Sequence, residues 1–135
     1  MPLERMEHVT VNTDDVDKTK EFYCDLLGMT DGFRPDFGFE GCWLYIGDVP
    51  CVHVCEWESH KVFAEERGIP KPSRAPSTGS FDHVAFNATD YDGMLARIKQ
   101  RGLEFGDDYL PDVKLRQLFI KDPNGVTIEL NFRGQ

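Results

Sequence analysis

The fold follows from a stretch near the start of the chain, His8-Val9-Thr10-Val11-Asn12-Thr13-Asp14-Asp15, which recurs in altered form as His83-Val84-Ala85-Phe86-Asn87-Ala88-Thr89-Asp90. When the two copies are aligned on their first residue, the His, the first Val, the Asn and the last Asp stay in register. Both copies alternate apolar and polar residues, which is typical of a strand with one buried face. A repeat of this kind, with one copy in each half of the chain, indicates two equivalent structural modules.

Each copy leads into a stretch with helical character, from Val16 to Leu27 in the first half and from Tyr91 to Arg101 in the second. Acidic residues stand at both helix starts, where a carboxylate caps free amide groups and faces the positive end of the helix. A glycine follows each helix, as is common at helix C-termini. The acidic residues are Asp14, Asp15, Asp90 and Asp92, and the glycines are Gly28 and Gly102.

Three further strands are predicted after each helix, with the turn sequences Gly47-Asp48-Val49-Pro50 and Asp122-Pro123-Asn124-Gly125 between strands. The predicted strands cover residues 33–39, 42–46 and 51–57 in the first half, and residues 104–109, 116–120 and 127–132 in the second. The fold class is therefore α+β, with two tandem βαβββ modules at residues 5–57 and 81–133. The linker between them, residues 58–80, begins with a short helix over residues 59–67 and ends in a segment rich in Pro, Ser and Gly.

The composition is that of an acidic, soluble domain. The chain has 135 residues, and 15 Lys and Arg against 24 Asp and Glu give a formal net charge of −9. Its 40% hydrophobic content is too high for a disordered acidic tail. Without a basic face we expect neither nucleic-acid binding nor docking on an anionic membrane, and no apolar run approaches the length of a membrane span. Because the N-terminus carries no apolar signal core, we expect a cytoplasmic protein whose four cysteines are reduced.

The last predicted strand of each module carries one charged or titratable side chain between apolar neighbours. His53 stands between two valines, and Glu129 stands between an isoleucine and a leucine. The spacing from His53 to Glu129 matches, to within one position, the spacing from His8 to His83. If the modules pair about a pseudo-twofold axis, the four side chains converge on one point.

Three imidazoles and one carboxylate form a ligand set that suits a divalent Zn, Fe, Mn, Co or Ni ion. Taken singly, each residue has another interpretation, because a strand histidine is commonly a hydrogen-bonded core residue and a strand glutamate commonly faces solvent. Their equivalent positions in the repeat favour a shared site. The sequence therefore predicts a metal site made of His8, His53, His83 and Glu129.

Two other groups are not assigned to this site. Cys51 and Cys55 share a strand face with His53, but same-face neighbours lie about 6.6 Å apart, so three in a row cannot reach one ion. These cysteines are interpreted as packing around His53. His60 lies in a polar, charged stretch and is interpreted as a solvated side chain.

Four segments of the chain carry a family resemblance: His8-Val9-Thr10-Val11, Phe22-Tyr23-Cys24-Asp25-Leu26-Leu27-Gly28-Met29, Phe81-Asp82-His83-Val84-Ala85-Phe86 and Asp122-Pro123-Asn124-Gly125-Val126-Thr127-Ile128-Glu129-Leu130. With them the sequence resembles the vicinal oxygen chelate superfamily, which includes glyoxalase I, fosfomycin-resistance enzymes, methylmalonyl-CoA epimerase, extradiol dioxygenases and bleomycin-resistance proteins. The resemblance spans residues 7–132 and implies paired modules that form an open, cup-shaped mixed sheet around a metal. It carries the ligands of the first, fifth and last strands onto His8, His83 and Glu129. His53 matches the fourth-strand position, which is a Glu in glyoxalase I.

Three functions are compatible with these residues. The first is a glyoxalase-like enzyme of the lyase or isomerase kind, in which the metal chelates two adjacent substrate oxygens and Glu129 moves a proton between neighbouring carbons. The second is a non-heme Fe(II) extradiol-type dioxygenase, with His8, His83 and Glu129 as ligands and His53 as catalytic base. Against it, Phe119 stands where the dioxygenase signature has a tyrosine. The third is a non-catalytic small-molecule binding or resistance protein, and the intact ligand set counts against it.

Four side chains are candidates for substrate binding. Arg34 and Arg116 can grip a substrate carboxylate, with exposed surface arginines as the alternative interpretation. Trp43 and Tyr45 alternate along the third strand and can line a pocket, with core packing as the alternative. The resemblance implies a small-molecule substrate, one divalent metal ion per site and a homodimer with sites at or near the interface.

Overall fold

A computed structural model describes residues 2–134, which fall into two compact units divided in the chain between Arg74 and Ala75. Each unit contains one four-stranded sheet with helices. The predicted α+β class and the two tandem modules are therefore confirmed. Within residues 2–134, no helix is long and apolar enough to cross a membrane.

The first unit has the strand order β1-β4-β3-β2. Strand β1 pairs in parallel with β4, and the remaining neighbours pair antiparallel. The strands are β1 (Val9–Thr13), β2 (Thr30–Gly32), β3 (Gly41–Ile46) and β4 (Val49–Glu56). The helices are α1 (Val16–Glu21), which continues into a π-helical turn (Phe22–Leu26), and α2 (Trp57–Arg67).

The second unit repeats this topology, with the strand order β5-β8-β7-β6. Strand β5 pairs in parallel with β8, and the other neighbours are antiparallel. The strands are β5 (His83–Asn87), β6 (Gly106–Leu110), β7 (Leu115–Lys121) and β8 (Thr127–Arg133). The helices are α3 (Tyr91–Gln100) and a 3₁₀ turn (Pro111–Val113).

The two parallel strand pairs have the same register. Thr10 lies opposite His53 in the β1–β4 pair, and Ala85 lies opposite Glu129 in the β5–β8 pair. Thr10 and Ala85 are both the third residue of their copy of the repeat. His53 and Glu129 therefore occupy equivalent positions in the two sheets.

One face of each sheet forms the hydrophobic core of its unit. In the first unit this core is built from the sheet and the segment that runs from α1 into the π-helical turn, with the fully buried residues Tyr23, Leu26, Leu44, Val52 and Val54. In the second unit the Tyr91 ring of α3 meets the buried Phe132 ring of β8 edge to face, 5.4 Å between centroids. Burial of each such side chain contributes about 1.5–3 kcal/mol. Because side chains alternate along a strand, His53 and Glu129 lie on the other face of their sheets.

The predicted capping groups are present at both helices that follow the repeated strands. The carboxylates of Asp15 and Asp90 each accept a hydrogen bond from the backbone N–H three positions later, at 3.0 and 3.1 Å. Each helical segment is followed by a glycine with positive φ, +82° at Gly28 and +67° at Gly102. Both helices thus begin and end where the sequence predicts.

Two details of the first unit differ from the prediction. Residues 33–39 do not form a strand, and the short strand β2 instead lies just before them. Pro35 lacks the N–H that a strand ladder requires, and Gly38 adopts a φ of +78°, so the segment turns away from the sheet. Asp14 does not cap α1, because its carboxylate pairs with Arg74, with a shortest N–O distance of 2.6 Å.

Helix α2 begins directly after β4 and agrees with the short helix predicted at residues 59–67. Glu56 caps it: one carboxylate oxygen accepts the N–H of Glu58 at 2.8 Å, and the other accepts the N–H and the hydroxyl of Ser59 at 3.0 and 2.8 Å. These hydrogen bonds hold the pKa of Glu56 below its ordinary value, and the bond from the Glu58 N–H has the largest effect. The cap fixes the point at which the chain leaves the sheet.

We predict that Glu56→Ala lowers the free energy of unfolding by about 1 kcal/mol near neutral pH. Since the folded-state pKa of Glu56 is depressed, the stabilisation is present above the ordinary value of 4.5 and is lost as the pH falls through the folded pKa. Urea unfolding of both proteins at several pH values measures the difference. An equal effect of Glu66→Ala, an exposed acid on the same helix, or a difference that persists at acidic pH, would contradict the capping role.

Candidate metal centre

Three rings form a stack on one face of the first sheet. The His8 ring lies parallel to the His53 ring, with 3.7 Å between centroids and 13° between planes. Trp43 of β3 lies parallel to His53 as well, at 4.0 Å and 10°. Because β4 lies between β1 and β3, His53 is held between the other two rings. The stack fixes the orientation of two of the predicted metal ligands.

His53 is a neutral imidazole in this environment. Burial, and after it the neighbouring His8, lowers its pKa from 6.5 to about 4. Its Nε2 lies 3.0 Å from the carbonyl oxygen of Pro50. A carbonyl oxygen can only accept, so Nε2–H donates and Nδ1 is the nitrogen left for a metal or a proton.

The second unit brings His83 and Glu129 together. The His83 Nε2 and Glu129 Oε1 atoms are 3.4 Å apart. The other oxygen of Glu129 accepts a hydrogen bond from the Asn131 side chain at 2.8 Å, and Asn131 accepts one from Gln117 at 3.0 Å. This chain of hydrogen bonds holds the Glu129 carboxylate so that Oε1 faces the histidine.

A carboxylate orients the repeated histidine in each unit. His8 Nδ1 lies 2.9 Å from Oε1 of Glu7, and His83 Nδ1 lies 2.8 Å from Oδ2 of Asp82. The Asp82 contact is the main reason that the pKa of His83 lies above its ordinary value. An ionised carboxylate only accepts, so each Nδ1 carries the proton and each Nε2 is left with its lone pair. Carboxylates behind metal-binding histidines have this role.

The donor set of the two pairs fits a divalent ion. Imidazole nitrogen and carboxylate oxygen are common ligands of zinc and its neighbours, and two ligands bound tetrahedrally at about 2.0 Å lie about 3.3 Å apart, close to the separation of His83 Nε2 and Glu129 Oε1. Within residues 2–134 no cluster of three or more metal-binding side chains occurs. The candidates instead form two pairs, His8 with His53 and His83 with Glu129.

The cysteines beside His53 do not extend this donor set. Burial raises the pKa of Cys51 and of Cys55, so both remain neutral thiols at physiological pH, in agreement with the packing role predicted for them. All four cysteines of the chain are free thiols. Within residues 2–134 these thiols form no cluster of three metal-binding groups with His53.

A cavity of about 350 Å³ adjoins His53 within the first unit. Trp43 and Arg34, two of the predicted substrate-binding residues, line it together with His53 itself. Aromatic side chains from the 33–39 segment and α2 form much of the remaining wall. The other lining residues are Thr10, Asn12, Phe37, Phe39, Cys55, His60, Phe63, Pro70, Lys71 and Pro72.

His60 also belongs to this cavity, and its interpretation as a solvated side chain was wrong. The ring is half-buried, lies parallel to that of Phe39, and its Nδ1 lies 2.6 Å from the Asn12 side-chain oxygen. The i,i+3 spacing of His60 and Phe63 on one helix face is the sequence signal that could have indicated this. The residues around His60 in sequence are charged, so composition alone favoured an exposed position for this side chain.

Tyr45 does not line the cavity of the first unit, and Arg116 lies away from Glu129 within the second unit. The Tyr45 hydroxyl donates to the carbonyl of Phe33 at 2.6 Å, which ties β3 to the loop after β2. The Arg116 guanidinium lies over the Tyr91 ring at 4.7 Å, on the sheet face opposite to that of Glu129. Neither residue is assigned to the site.

Comparisons with known proteins agree with this architecture. The family model of the Glyoxalase/Bleomycin resistance protein/Dioxygenase superfamily matches residues 5–130. Over 131 residues the chain is 24% identical to Glyoxylase I 4 of Arabidopsis thaliana, a match that covers 95% of this chain and 70% of that protein. It is 27% identical to the uncharacterized protein YaeR of Escherichia coli, with 95% of each protein covered. The crystal structure of lactoylglutathione lyase from Agrobacterium tumefaciens superposes with a TM-score of 0.71 at 18% identity, covering 98% of this chain and 96% of that one.

We predict that the histidines differ in tautomer. In metal-free protein at about pH 9, where imidazoles are neutral, long-range ¹H–¹⁵N NMR spectra should show His8 and His83 protonated at Nδ1 and His53 at Nε2. Glu7→Gln and Asp82→Asn should each return the neighbouring histidine towards Nε2 protonation, because an amide can donate as well as accept. Nε2 protonation of His8 and His83 in the wild-type protein would contradict the geometry.

Proposed function

Because the chain belongs to the Glyoxalase/Bleomycin resistance protein/Dioxygenase superfamily, we propose that it is a divalent-metal-dependent enzyme of the lyase or isomerase kind that acts on a small molecule with two adjacent oxygen atoms. Members of this superfamily generally use a divalent metal and bind small molecules. The names of two relatives, Glyoxylase I 4 and lactoylglutathione lyase, favour this reaction class over others in the superfamily.

One observation carries the proposal: each unit holds its repeated histidine against a carboxylate through Nδ1. The Glu7–His8 and Asp82–His83 pairs occupy the same position in the two copies of the repeat and have nearly the same N–O distance, 2.9 and 2.8 Å. Both contacts are exposed and join neighbours in sequence, so the support comes from their recurrence at the same position of the repeat. The arrangement supports a common role for both Nε2 atoms as ligands.

His8, His53, His83 and Glu129 would together hold one ion. When bound, the ion would supply Lewis-acid stabilisation of negative charge on the substrate oxygens. Many members of the superfamily form dimers, and we propose that this chain acts as a homodimer. The two pairs of ligands would then come from the units of one chain or of two.

Glu129 is the residue that we propose moves the proton. Its Oε2 atom is held by the Asn131 amide, whereas Oε1 faces His83. Oε1 would bind the ion through one lone pair, and its second lone pair would take up a proton from one carbon and return it to the next. His53 supports the reaction in a different way. It is a neutral imidazole held in place by ring stacking. The lone pair of its Nδ1 would bind the ion or accept a proton, and the ring adds no charge to the site.

This chain lacks the tyrosine hydroxyl that belongs to the dioxygenase signature. Phe119 lies directly opposite Glu129 across the β7–β8 pair, at the position where the dioxygenase signature has a tyrosine. A phenyl ring has no hydroxyl to donate to a substrate or to bound oxygen. This difference supports proton transfer over ring cleavage as the reaction.

Metal analysis tests the ligand set, on protein purified without a chelator or a metal-affinity tag. We predict one divalent ion per site and a loss of at least about tenfold in affinity for His83→Ala, because even the outer-shell partners of a ligand contribute that much. Glu129→Gln should behave in the same way. His60→Ala is the matched control, since it removes the remaining histidine without touching the ligand set. Wild-type metal content in His83→Ala, or no ion bound after addition of Ni, Zn, Mn or Fe(II), would reject the proposal.

The same preparations separate the reaction classes. A lyase or isomerase should convert a substrate with adjacent oxygens without consuming O₂, and Glu129→Gln should abolish turnover while Glu66→Ala, at an exposed position of α2, retains it. Oxygen uptake on a catechol with Fe(II) would assign the dioxygenase reaction instead. Tight binding of a small molecule without turnover under any ion would identify a binding protein.

A further inference from the structure

His60 presents a hydrogen-bond acceptor to the cavity of the first unit. Its Nδ1 lies 2.6 Å from the side-chain oxygen of Asn12. An amide oxygen only accepts, so Nδ1 carries the proton and Nε2 keeps a lone pair. Within residues 2–134 Nε2 has no hydrogen-bond partner, and it is not among the buried atoms that lack one, so its surface is accessible. Because His60 lines the cavity, a ligand bound there can reach this lone pair.

The His60 ring is held in place before any ligand binds. It lies parallel to the Phe39 ring, with 5.6 Å between centroids and 6° between planes. The hydrogen bond to Asn12 joins α2 to β1 and fixes the rotation of the ring. Burial lowers the pKa of His60 below its ordinary value, which favours the neutral form with a free lone pair. A ligand donor therefore meets an acceptor that needs no reorientation.

The two cations that line the cavity are both engaged. Arg34 donates through Nη1 to the carbonyl of Phe39 at 3.0 Å, and its Nε and Nη2 atoms are enclosed beside the Cys55 thiol. Lys71 pairs with Glu65 at 3.0 Å. An anion that left water for this cavity would find neither cation available, so the site favours a neutral ligand.

Aromatic side chains form much of the cavity wall. Phe37, Phe39, Phe63 and Trp43 line it, and the Phe63 ring centre lies 4.8 Å from that of Phe39 and 5.9 Å from that of Phe37. Aromatic rings pack edge to face or offset against another flat ring. The volume of about 350 Å³ limits the ligand to a small molecule. A flat ring with one hydrogen-bond donor at its edge matches both these walls and His60.

The cavity lies next to the proposed metal ligands of the first unit. In the β1–β4 pair Asn12 lies opposite Cys55, and Thr10 lies opposite His53. These two rows are neighbours on one face of the sheet, about 6.6 Å apart along the strands. His60 contacts the Asn12 row, and His53 belongs to the other. The cavity therefore extends from His60 towards the proposed metal centre.

We propose that this cavity binds a neutral aromatic group whose O–H or N–H donates to Nε2 of His60. The inference rests on the proposed function in one respect, namely that the aromatic group belongs to the substrate and that His60 selects it. Binding itself needs no ion, because His60 and the aromatic walls form the site. His60 is then a specificity-determining residue and not a metal ligand.

NMR titration of the metal-free full-length chain tests the site with two matched pairs of probes. Phenol should bind measurably, and fluorobenzene, which has nearly the same shape but no donor, should bind about tenfold more weakly. Indole and benzofuran form the corresponding pair for an N–H donor, and the pair with the larger ratio identifies the donor. Benzoate should bind more weakly than phenol, because its carboxylate only accepts and would face the lone pair of His60. Long-range ¹H–¹⁵N spectra should show Nε2 of His60 unprotonated, with a resonance that shifts when phenol binds.

His60→Phe separates the acceptor from the ring. It keeps an aromatic ring beside Phe39 but removes Nε2, so phenol should bind no better than fluorobenzene, whose affinity should be unchanged. Asn12→Ala keeps the histidine but should also lose the preference for phenol, because nothing then holds the proton on Nδ1. Glu66→Ala, at an exposed position of the same helix, is the matched control and should keep the wild-type preference. Thermal unfolding curves check that the three variants are folded.

Four results would overturn the proposal. They are equal affinities within both pairs or no binding of any probe, tighter binding of benzoate than of phenol, protonation of wild-type His60 at Nε2, and an unchanged preference in His60→Phe. The titrations are made without metal, and His60→Phe should retain wild-type metal affinity. None of these results therefore bears on the proposed metal ligands, and a failure of the metal site would leave the binding of phenol or indole unchanged.

Discussion

The candidate site depends on the parallel pairing of the first and last strands of each unit. In both sheets the strand that begins the module lies beside the strand that ends it, in the same register. This pairing brings His8 onto His53 in the first unit and His83 beside Glu129 in the second, although the members of each pair are far apart in sequence. Parallel strands require a long crossover, and here the helix and two antiparallel strands provide it.

Because side chains alternate between the two faces of a strand, the residues that form the core and the candidate metal ligands lie on opposite faces of each sheet. On β4 and β8 the valines, isoleucine and leucine on one face are fully or almost fully buried in the core. The residues between them carry His53 and Glu129 to the other face. A shift of register by one position would bury both polar groups and expose the apolar ones, so the core and the ligand positions are specified together.

The features that were predictable from sequence are those encoded locally or by the repeat. The alternation of residues 8–13 and 83–87, the caps at Asp15 and Asp90, and the glycines after the helices each have a local cause, and all are present. The 33–39 segment and His60 were misjudged for different reasons. Pro35 and Gly38 are local signals against a strand that the prediction did not weigh. The environment of His60 depends on its contact with Asn12, far away in sequence, which local composition does not report.

X-ray absorption at the zinc edge of the zinc-loaded protein tests the central claim most directly, because it counts the groups bound to the ion. The account predicts a first shell of nitrogen and oxygen only, with imidazole scattering that decreases by one ring in His8→Gln and by one ring in His83→Gln. Both variants should change the same single site, since the two units are proposed to contribute to one ion. Sulfur scattering at about 2.3 Å, or a spectrum that is unchanged by either substitution, would contradict it.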